Sequence, residues 1–277
     1  MAYIALSLRK YIILLIVSID TDGLIEEFCD GTRFSKYSLF STDPYALQVI
    51  AYYDELEICN PLGSHVKQNK CGIVFYTLGN IAPKYRSQLP VINLAVIATV
   101  PIIELYGLDT ILAEFISDIN ILATDGITVT EKKNFKGALL AFLADNLACN
   151  DLGGFKKSFS FSFRCCRSCL VTKDSIRSSY ISEDFQLRTE DNHRKHVELL
   201  DGPTASHFSK TYGINRRSSL LDLTEFTMFD SGLPHDAMHD ILEGIAPLEI
   251  KLLLTHLISS KCFTLDYFNG IIYANQV

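Results

Sequence analysis

Several common signatures are missing from this 277-residue chain, and each absence removes a class of function. There is no P-loop, and "DLGGF" (151–155) is too short to cradle phosphates, so a nucleotide triphosphate site has no candidate. No Gly-rich dinucleotide turn opens a helix, which removes the usual NAD or FAD fold. No Gly-x-Ser-x-Gly occurs and no serine has a histidine partner in sequence, so serine-hydrolase chemistry has no candidate either. Long apolar runs are also lacking. Tyr11–Ile19 is too short to cross a bilayer, and "PVINLAVIATVPIIELYGL" is interrupted by Pro101 and Glu104. Positive charge is not in excess. At a net −7, the surface as a whole is unsuited to coating nucleic acid.

What is present is apolar mass. The chain is 48% hydrophobic with a slightly positive mean hydropathy, so a sizeable core is expected. The charge is uneven. Residues 156–217 carry 12 Lys/Arg against 7 Asp/Glu, a net of +5, which leaves −12 for the remainder. A basic segment in an acidic protein is what a local phosphate contact needs. Of the eight cysteines, only Cys165, Cys166 and Cys169 cluster; the others stand singly in apolar runs, as reduced thiols do in an intracellular protein. In "MAYIALSLRKYIILLIVSID" two basic residues precede an apolar run, as in a signal peptide, but no small-residue cleavage site follows. A buried strand or helix, or a spurious start, is the expectation for that run, within an N-terminal segment over residues 1–40.

From there the chain reads as an ordered series. "ALQVIAYYDELEI" (46–58), "KCGIVFYTLGNI" (70–81) and "LPVINLAVIATV" (89–100) are β runs, with "CNPLG" as a turn after the first. "LDTILAEFISDINILATDG" (108–126) has helical spacing, with Ile111, Leu112, Phe115, Ile116 and Ile119 on one stripe. "FKGALLAFLADN" (135–146) is a further apolar run, helix or strand on pattern alone. "SFSFSFRCC" (158–166) alternates strictly and predicts a half-buried strand; from about 203 the pattern turns helical. The order is β-β-β-α-β in an α/β protein. Asp54 lies on the first strand and Asp145 at the end of the fourth, 91 residues apart. They can meet only if those strands are neighbours, as in an RNase H-like mixed sheet. Two aspartates there could share Mg²⁺ or Mn²⁺ ions that clamp a phosphodiester.

"LPHDAMHDILEG" (233–244) spaces Asp236, His239, Asp240 and Glu243 at i, i+3, i+4 and i+7, on one helix face. Met238, Ile241, Leu242 and Ile245 form the opposite, core-facing stripe. Pro234 suits the first helical position and Gly244 weakens the end. A solvated face explains the polar side as simply as a metal or DNA does.

The ordered set "YYDELEICNPLGS", "FYTLGNIAPKYRSQL", "ADNLACNDLGGF…CCRSC" and "DAMHDILEG" resembles transposase-derived proteins of the CACTA group, in the DDE superfamily. The resemblance covers roughly residues 30–250. It implies a metal-dependent polynucleotidyl transferase with an RNase H-like core over 41–165, and a zinc-type element and helical insertion over 166–277. It also implies DNA as partner, possible self-association and a nuclear or intracellular location. Asp54 and Asp145 match the first two catalytic acids, and Cys166–Cys169 the Cys-x-x-Cys that follows the second. Asp236-Ala-Met-His239 matches an Asp-x-x-His motif of the insertion that approaches DNA. The third acid of the family, usually Glu, has no clear match, since Glu243 and Glu249 fall early. The expectation is that it lies beyond Val277 or is lost, that the chain is a truncated copy, and that it is inactive alone.

Cys166 and Cys169 have the spacing of half a tetrahedral zinc site, and His193 and His196 in "DNHRKH" offer a second half. The resemblance leaves His235 or a later residue as alternatives; ordinary core cysteines and a solvated basic stretch explain the same residues without metal. Zinc here would be structural. Lys156, Lys157, Arg164, Arg167, Arg194 and Lys195, with Arg216 and Arg217, are the candidate phosphate contacts. Two other readings stay open. One is a non-catalytic DNA- or protein-binding remnant of the same fold. The other is an HD-type metal phosphohydrolase on His235-Asp236, which the β-rich first half disfavours.

Overall fold

The computed structural model describes residues 27–267 and 269, except 32–33, 35–36, 58–69, 131–132 and 159–160; the apolar N-terminal run and the "CNPLG" turn lie outside the described residues. The chain divides into two compact units, 1–234 and 235–277.

The first unit is mixed α/β. Strands β1 (Leu47–Glu57), β2 (Lys70–Leu78) and β3 (Asn93–Thr99) form an antiparallel run. Strand β6 (Gly137–Leu143) lies parallel to β1, so the sheet order is β3-β2-β1-β6. Short helices α1 (Ser38–Thr42) and α2 (Pro83–Arg86) flank β1 and β2 in sequence, and α3 (Val100–Tyr106) follows β3. The crossover to β6 is helix α4 (Leu108–Thr124) with a small hairpin, β4 (Ile127–Thr130) and β5 (Lys133–Phe135), which the element reading missed.

The period-2 and period-3.6 patterns explain the core. Leu47, Val49, Ala51 and Tyr53 leave β1 on one face and pack with Leu112, Phe115, Ile116, Ile119 and Leu122 of α4 and with Phe142 of β6. Ile111, at the stripe's margin, is half-buried. The other sheet face carries a second cluster, in which Tyr37, Leu39 and Phe40 cover Ala138, Leu140 and Ile50. β1 and β6 approach closely at Gly137, where an added Cβ would stand 2.6 Å from the Leu47 Cβ.

Beyond β6 the unit continues through α5 (Asn146–Leu152), α6 (Glu190–Glu198) and α7 (Ala205–Tyr212). Gly154, at φ +73°, makes the left-handed turn after α5 that lets its carbonyl accept from Asn215 and Arg216 N–H groups. The strand expected over 158–166 is absent from its described residues. Phe161 is 69% exposed, Phe163 43%, and Ser162 only 5%, the reverse of what the alternation predicts. The cause is the lack of a ladder partner. Phe163 and Arg164 N–H groups bond instead to the Lys210 and Thr211 carbonyls at the end of α7, and Ser162 tucks beneath Gly213.

The second unit centres on one helix. Met238–Ile245 is wound as π-helix and runs into α8 (Ala246–Ser259), so Gly244 does not end it. Pro234 stands outside; Asp236 is the capping residue, its Oδ1 accepting from Met238 and His239 N–H groups at 2.9 and 3.2 Å. The apolar stripe expected to face a core is instead exposed: Met238, Ile241, Leu242 and Ile245 all keep about half or more of their surface. Among the described residues of this unit, α8 and its π-helical start are the main element, and nothing in them buries this stripe.

Candidate active site

Pairing along β1 sets the site. Its ladder with β6 stops at Tyr52–Leu143, while its ladder with β2 runs on to Glu57–Lys70. Among the described residues, 53–57 of β1 therefore have a sheet neighbour on one side only, and a notch opens where β6 ends. Asp54 and Asp145 each lie two residues past the Tyr52–Leu143 pair, Asp54 still on β1 and Asp145 just beyond the end of the parallel β6. Neighbouring strands run about 4.8 Å apart, so the two carboxylates reach the same notch. Both line one pocket of about 350 Å³, with Tyr53, Glu55, Lys70, Ala148, Asp151 and Lys157.

Local hydrogen bonds orient the pair. Asp145 caps α5, its Oδ1 accepting the Ala148 N–H at 2.7 Å, and its side chain is exposed. Asp54 Oδ1 accepts the Glu55 N–H at 2.8 Å. The other two acids of the pocket are already neutralised: Lys70 pairs with Glu55 at 3.6 Å, and Lys157 and Arg216 pair with Asp151 at 3.0 and 3.3 Å. Among the described residues, no cation pairs with Asp54 or Asp145. Burial raises the Tyr53 phenol well above its usual range, and the carboxylates Glu55, Asp151, Asp54 and Asp145 push it further.

The donor set is hard oxygen. Among the described residues no group of three or more His, Cys, Asp or Glu converges as a ready-made metal cage. A site for Mg²⁺ does not need one, because that ion takes one or two carboxylates and completes its shell with water and substrate phosphate. Asp54 and Asp145 fit that requirement.

The cysteine–histidine residues assemble as two pairs around a buried arginine. The Cys169 thiol hydrogen-bonds the Cys166 sulfur and is raised by that bond and by burial; Cys166 Sγ also accepts the Ser168 N–H at 3.3 Å. His193 is fully buried, with Phe155 and Phe229 ring centroids at 5.1 and 4.9 Å, and neither nitrogen has a partner. Burial holds its pKa down to about 3, with Arg188 adding to the effect. His196 stacks on Tyr212 at 3.6 Å, and its buried Nδ1 is likewise unpartnered. Arg188 donates to the carbonyls of Cys166 (2.8 Å), Tyr212 (2.6 Å) and Arg164 (3.3 Å), and burial brings its pKa to about 10. The four expected zinc ligands do not converge on one point.

The basic candidates separate. Lys157 lines the pocket. Lys156 bonds Asn215 Oδ1 at 3.1 Å, Arg164 donates to the Leu170 carbonyl and lies over the Tyr212 ring, Arg194 pairs with Glu190 at 2.6 Å, and exposed Lys195 with Asp191 at 2.7 Å. Arg167 is corrected: it is buried, with its guanidinium bound to Asn146 Oδ1 and the Leu233 and Pro234 carbonyls, and is a brace rather than a phosphate contact. Arg216 joins Asp109 and Asp151, and Arg217 joins Asp222.

In the second unit the Asp236–His239 motif closes on itself. His239 Nδ1 sits 2.5 Å from Asp236 Oδ2, which holds that carboxyl below its usual range, and Glu243 is 4.0 Å from Nε2. Sequence reasoning passed over Tyr53, Glu55, Lys70 and Asp151. Only Glu55 and Tyr53, adjacent to Asp54, carried a signal; the pairing of Lys70 with the end of β1 is a property of register. No protein-family model matches the chain, and no curated protein matches it. Among the described residues no helix is long and apolar enough to cross a membrane.

Proposed function

We propose that the chain carries the two-aspartate metal site of a DDE-type polynucleotidyl transferase on an RNase H-like sheet, in a transposase-derived protein of the CACTA group. One observation carries the reading: strand register delivers Asp54 and Asp145 to a single notch, with no cation paired to either among the described residues. A divalent ion bound there supplies Lewis acidity toward a phosphodiester. The chain's own part is to hold the two carboxylates by the Glu55 and Ala148 N–H groups and to keep Lys70 and Lys157 at the rim, where they meet a phosphate backbone. Glu55 and Asp151 are tied to those lysines, so strand cleavage is proposed to need a further carboxylate, and this chain by itself to bind metal and DNA without cutting. DNA ends, self-association and a nuclear location belong to the same proposal.

The test is calorimetric titration of the full chain with Mn²⁺, followed by strand cleavage assays. Binding that disappears in Asp54→Asn and Asp145→Asn supports the reading. Unchanged binding in both variants sinks it. DNA binding without Mn²⁺ binding favours the non-catalytic remnant of the same fold.

Zinc at the second cluster stays a proposal. The paired sulfurs of Cys166 and Cys169 and the unpartnered nitrogens of His193 and His196 are donors zinc would use. Arg188, whose Nη1 has no partner, is the group that would have to yield. Elemental analysis of purified protein decides it: one zinc per chain, lost in His193→Ala, supports the site, and none in the parent chain removes it.

A further inference from the structure

The pocket contains a donor that the two-aspartate reading leaves unused. Tyr53 precedes Asp54 on β1 and leaves the strand on the core face, so its ring is 6% exposed, yet it lines the same notch. The ring is held in place. A Cβ at Gly72 on β2 would stand 2.7 Å from the Tyr53 hydroxyl and 2.4 Å from Ile103 Cδ1, so a glycine there is what makes room for it. The hydroxyl makes no hydrogen bond to a described residue. Its oxygen is not among the buried unpartnered polar atoms, so the otherwise buried ring presents a free donor to the pocket.

The charge around it says what the partner is. Asp54, Glu55, Asp145 and Asp151 contribute −4 to the pocket and Lys70 and Lys157 +2, a balance of −2. That balance repels a lone anion and attracts a divalent cation, and a cation bound there would then accept an anionic oxygen. We propose that Tyr53 is a substrate-binding donor of this pocket, its hydroxyl bonding a phosphoryl oxygen that arrives only once a divalent ion is bound. The inference rests on the metal reading above and adds an order of binding: metal first, phosphodiester second.

The experiment is calorimetry on the full chain with Mn²⁺, then with a short single-stranded oligonucleotide in the presence and absence of Mn²⁺. The parent chain, Tyr53→Phe and Asp54→Asn are compared. Tyr53→Phe keeps the ring and should bind Mn²⁺ as the parent does, but bind the oligonucleotide about tenfold more weakly when Mn²⁺ is present. Without Mn²⁺ the two should be equal. Equal affinity in the presence of Mn²⁺ overturns the inference and leaves the metal reading standing. Loss of Mn²⁺ binding in Tyr53→Phe also overturns it, by placing the hydroxyl under the metal pair. A parent chain that binds no Mn²⁺ ends both. Should Tyr53→Phe fail to fold, 3-fluorotyrosine at position 53 keeps the ring and sharpens the donor. Oligonucleotide affinity should then rise, and no change overturns the inference.

Discussion

The carboxylate notch and the cysteine–histidine cluster are both assembled from distant residues, but they handle charge in opposite ways. In the notch, Asp54 and Asp145 are exposed, remain in water and have no cationic partner among the described residues. In the cluster, Arg188 is 3% exposed, and the groups around it are two histidines, three cysteines and Arg164. Burying that charge is tolerable only because three carbonyls accept from it. One region leaves two carboxylates open on a pocket; the other ties the carbonyls of residues 164 and 166 to the end of α7. The contrast predicts that notch substitutions change binding and spare stability, while cluster substitutions do the reverse.

The largest effect should come from Arg188. Arg188→Leu strips the donor from the Cys166, Arg164 and Tyr212 carbonyls at once. At about 1 kcal/mol or more for each unsatisfied buried group, the loss should be about 3 kcal/mol or more, read as a lower urea midpoint. Arg188→Lys keeps the charge but cannot serve three acceptors from one head group, and should recover only part of the loss. A neutral result for Arg188→Leu would mean that the packing of Phe155, His193 and Phe229 holds the cluster without it.

His193 supplies the pH dependence. Its folded pKa of about 3 lies below the unfolded value of about 6.5. Between these values the unfolded chain binds more protons, so stability rises with pH across that window. Full stability is present above about 6.5 and is lost as the pH falls toward 3, by on the order of a few kcal/mol. His193→Phe removes the titrating group, fits a site already lined by Phe155 and Phe229, and should flatten the urea midpoint between pH 6.5 and pH 4. Persistence of the slope would assign it to other groups, with His196, also lowered by burial, the next to test.

The two regions also differ in how far the sequence revealed them. The notch was legible in part: β-rich apolar runs marked β1, β2 and β3 and helical spacing marked α4, but the run that forms β6 was helix or strand on pattern alone, so the meeting of Asp54 and Asp145 stayed conditional on the parallel return beside β1. The pocket's remaining lining was not legible, since the meeting of Lys70 with the end of β1 and of Lys157 with Asp151 depends on register and on the turn after α5. The cluster was half legible. Cys-x-x-Cys and His-x-x-His announced two pairs, but nothing in "LRTEDNHRKH" says that Arg188 is the buried group against which both lie. "SFSFSF" misled because alternation describes a face and not a partner. The stripe at Met238–Ile245 was correct as periodicity and incorrect as burial, because amphipathicity says which side is apolar and not that something covers it.

A smaller effect separates the two aspartates. Both Asp54→Ala and Asp145→Ala should abolish Mn²⁺ binding, but Asp145 also caps α5. Its removal should cost about 1 kcal/mol of stability. Asp54 is exposed and bonds only to its neighbours, so Asp54→Ala should stay within about 0.5 kcal/mol of the parent. Asp145→Asn restores the cap without restoring the ligand, and should therefore recover stability while Mn²⁺ binding stays lost. An equal cost for both alanine variants would place a structural burden on Asp54 that the register does not explain.

The smallest effect is the most local. Lys157 lies at the notch, 3.0 Å from Asp151, whereas Lys195 is tied to Asp191 on the exposed face of α6. If DNA runs through the notch, Lys157→Ala should lower the slope of log K against log salt by about 0.9 for duplex DNA, one phosphate's worth of released counterions. Lys195→Ala should leave that slope unchanged, since Lys195 is not part of the pocket lining. Both variants should unfold at nearly the parent's urea midpoint. Equal slope changes would mean that the basic segment 156–217 binds phosphate along its whole face, and the notch would then be a metal site that DNA crosses rather than one it enters.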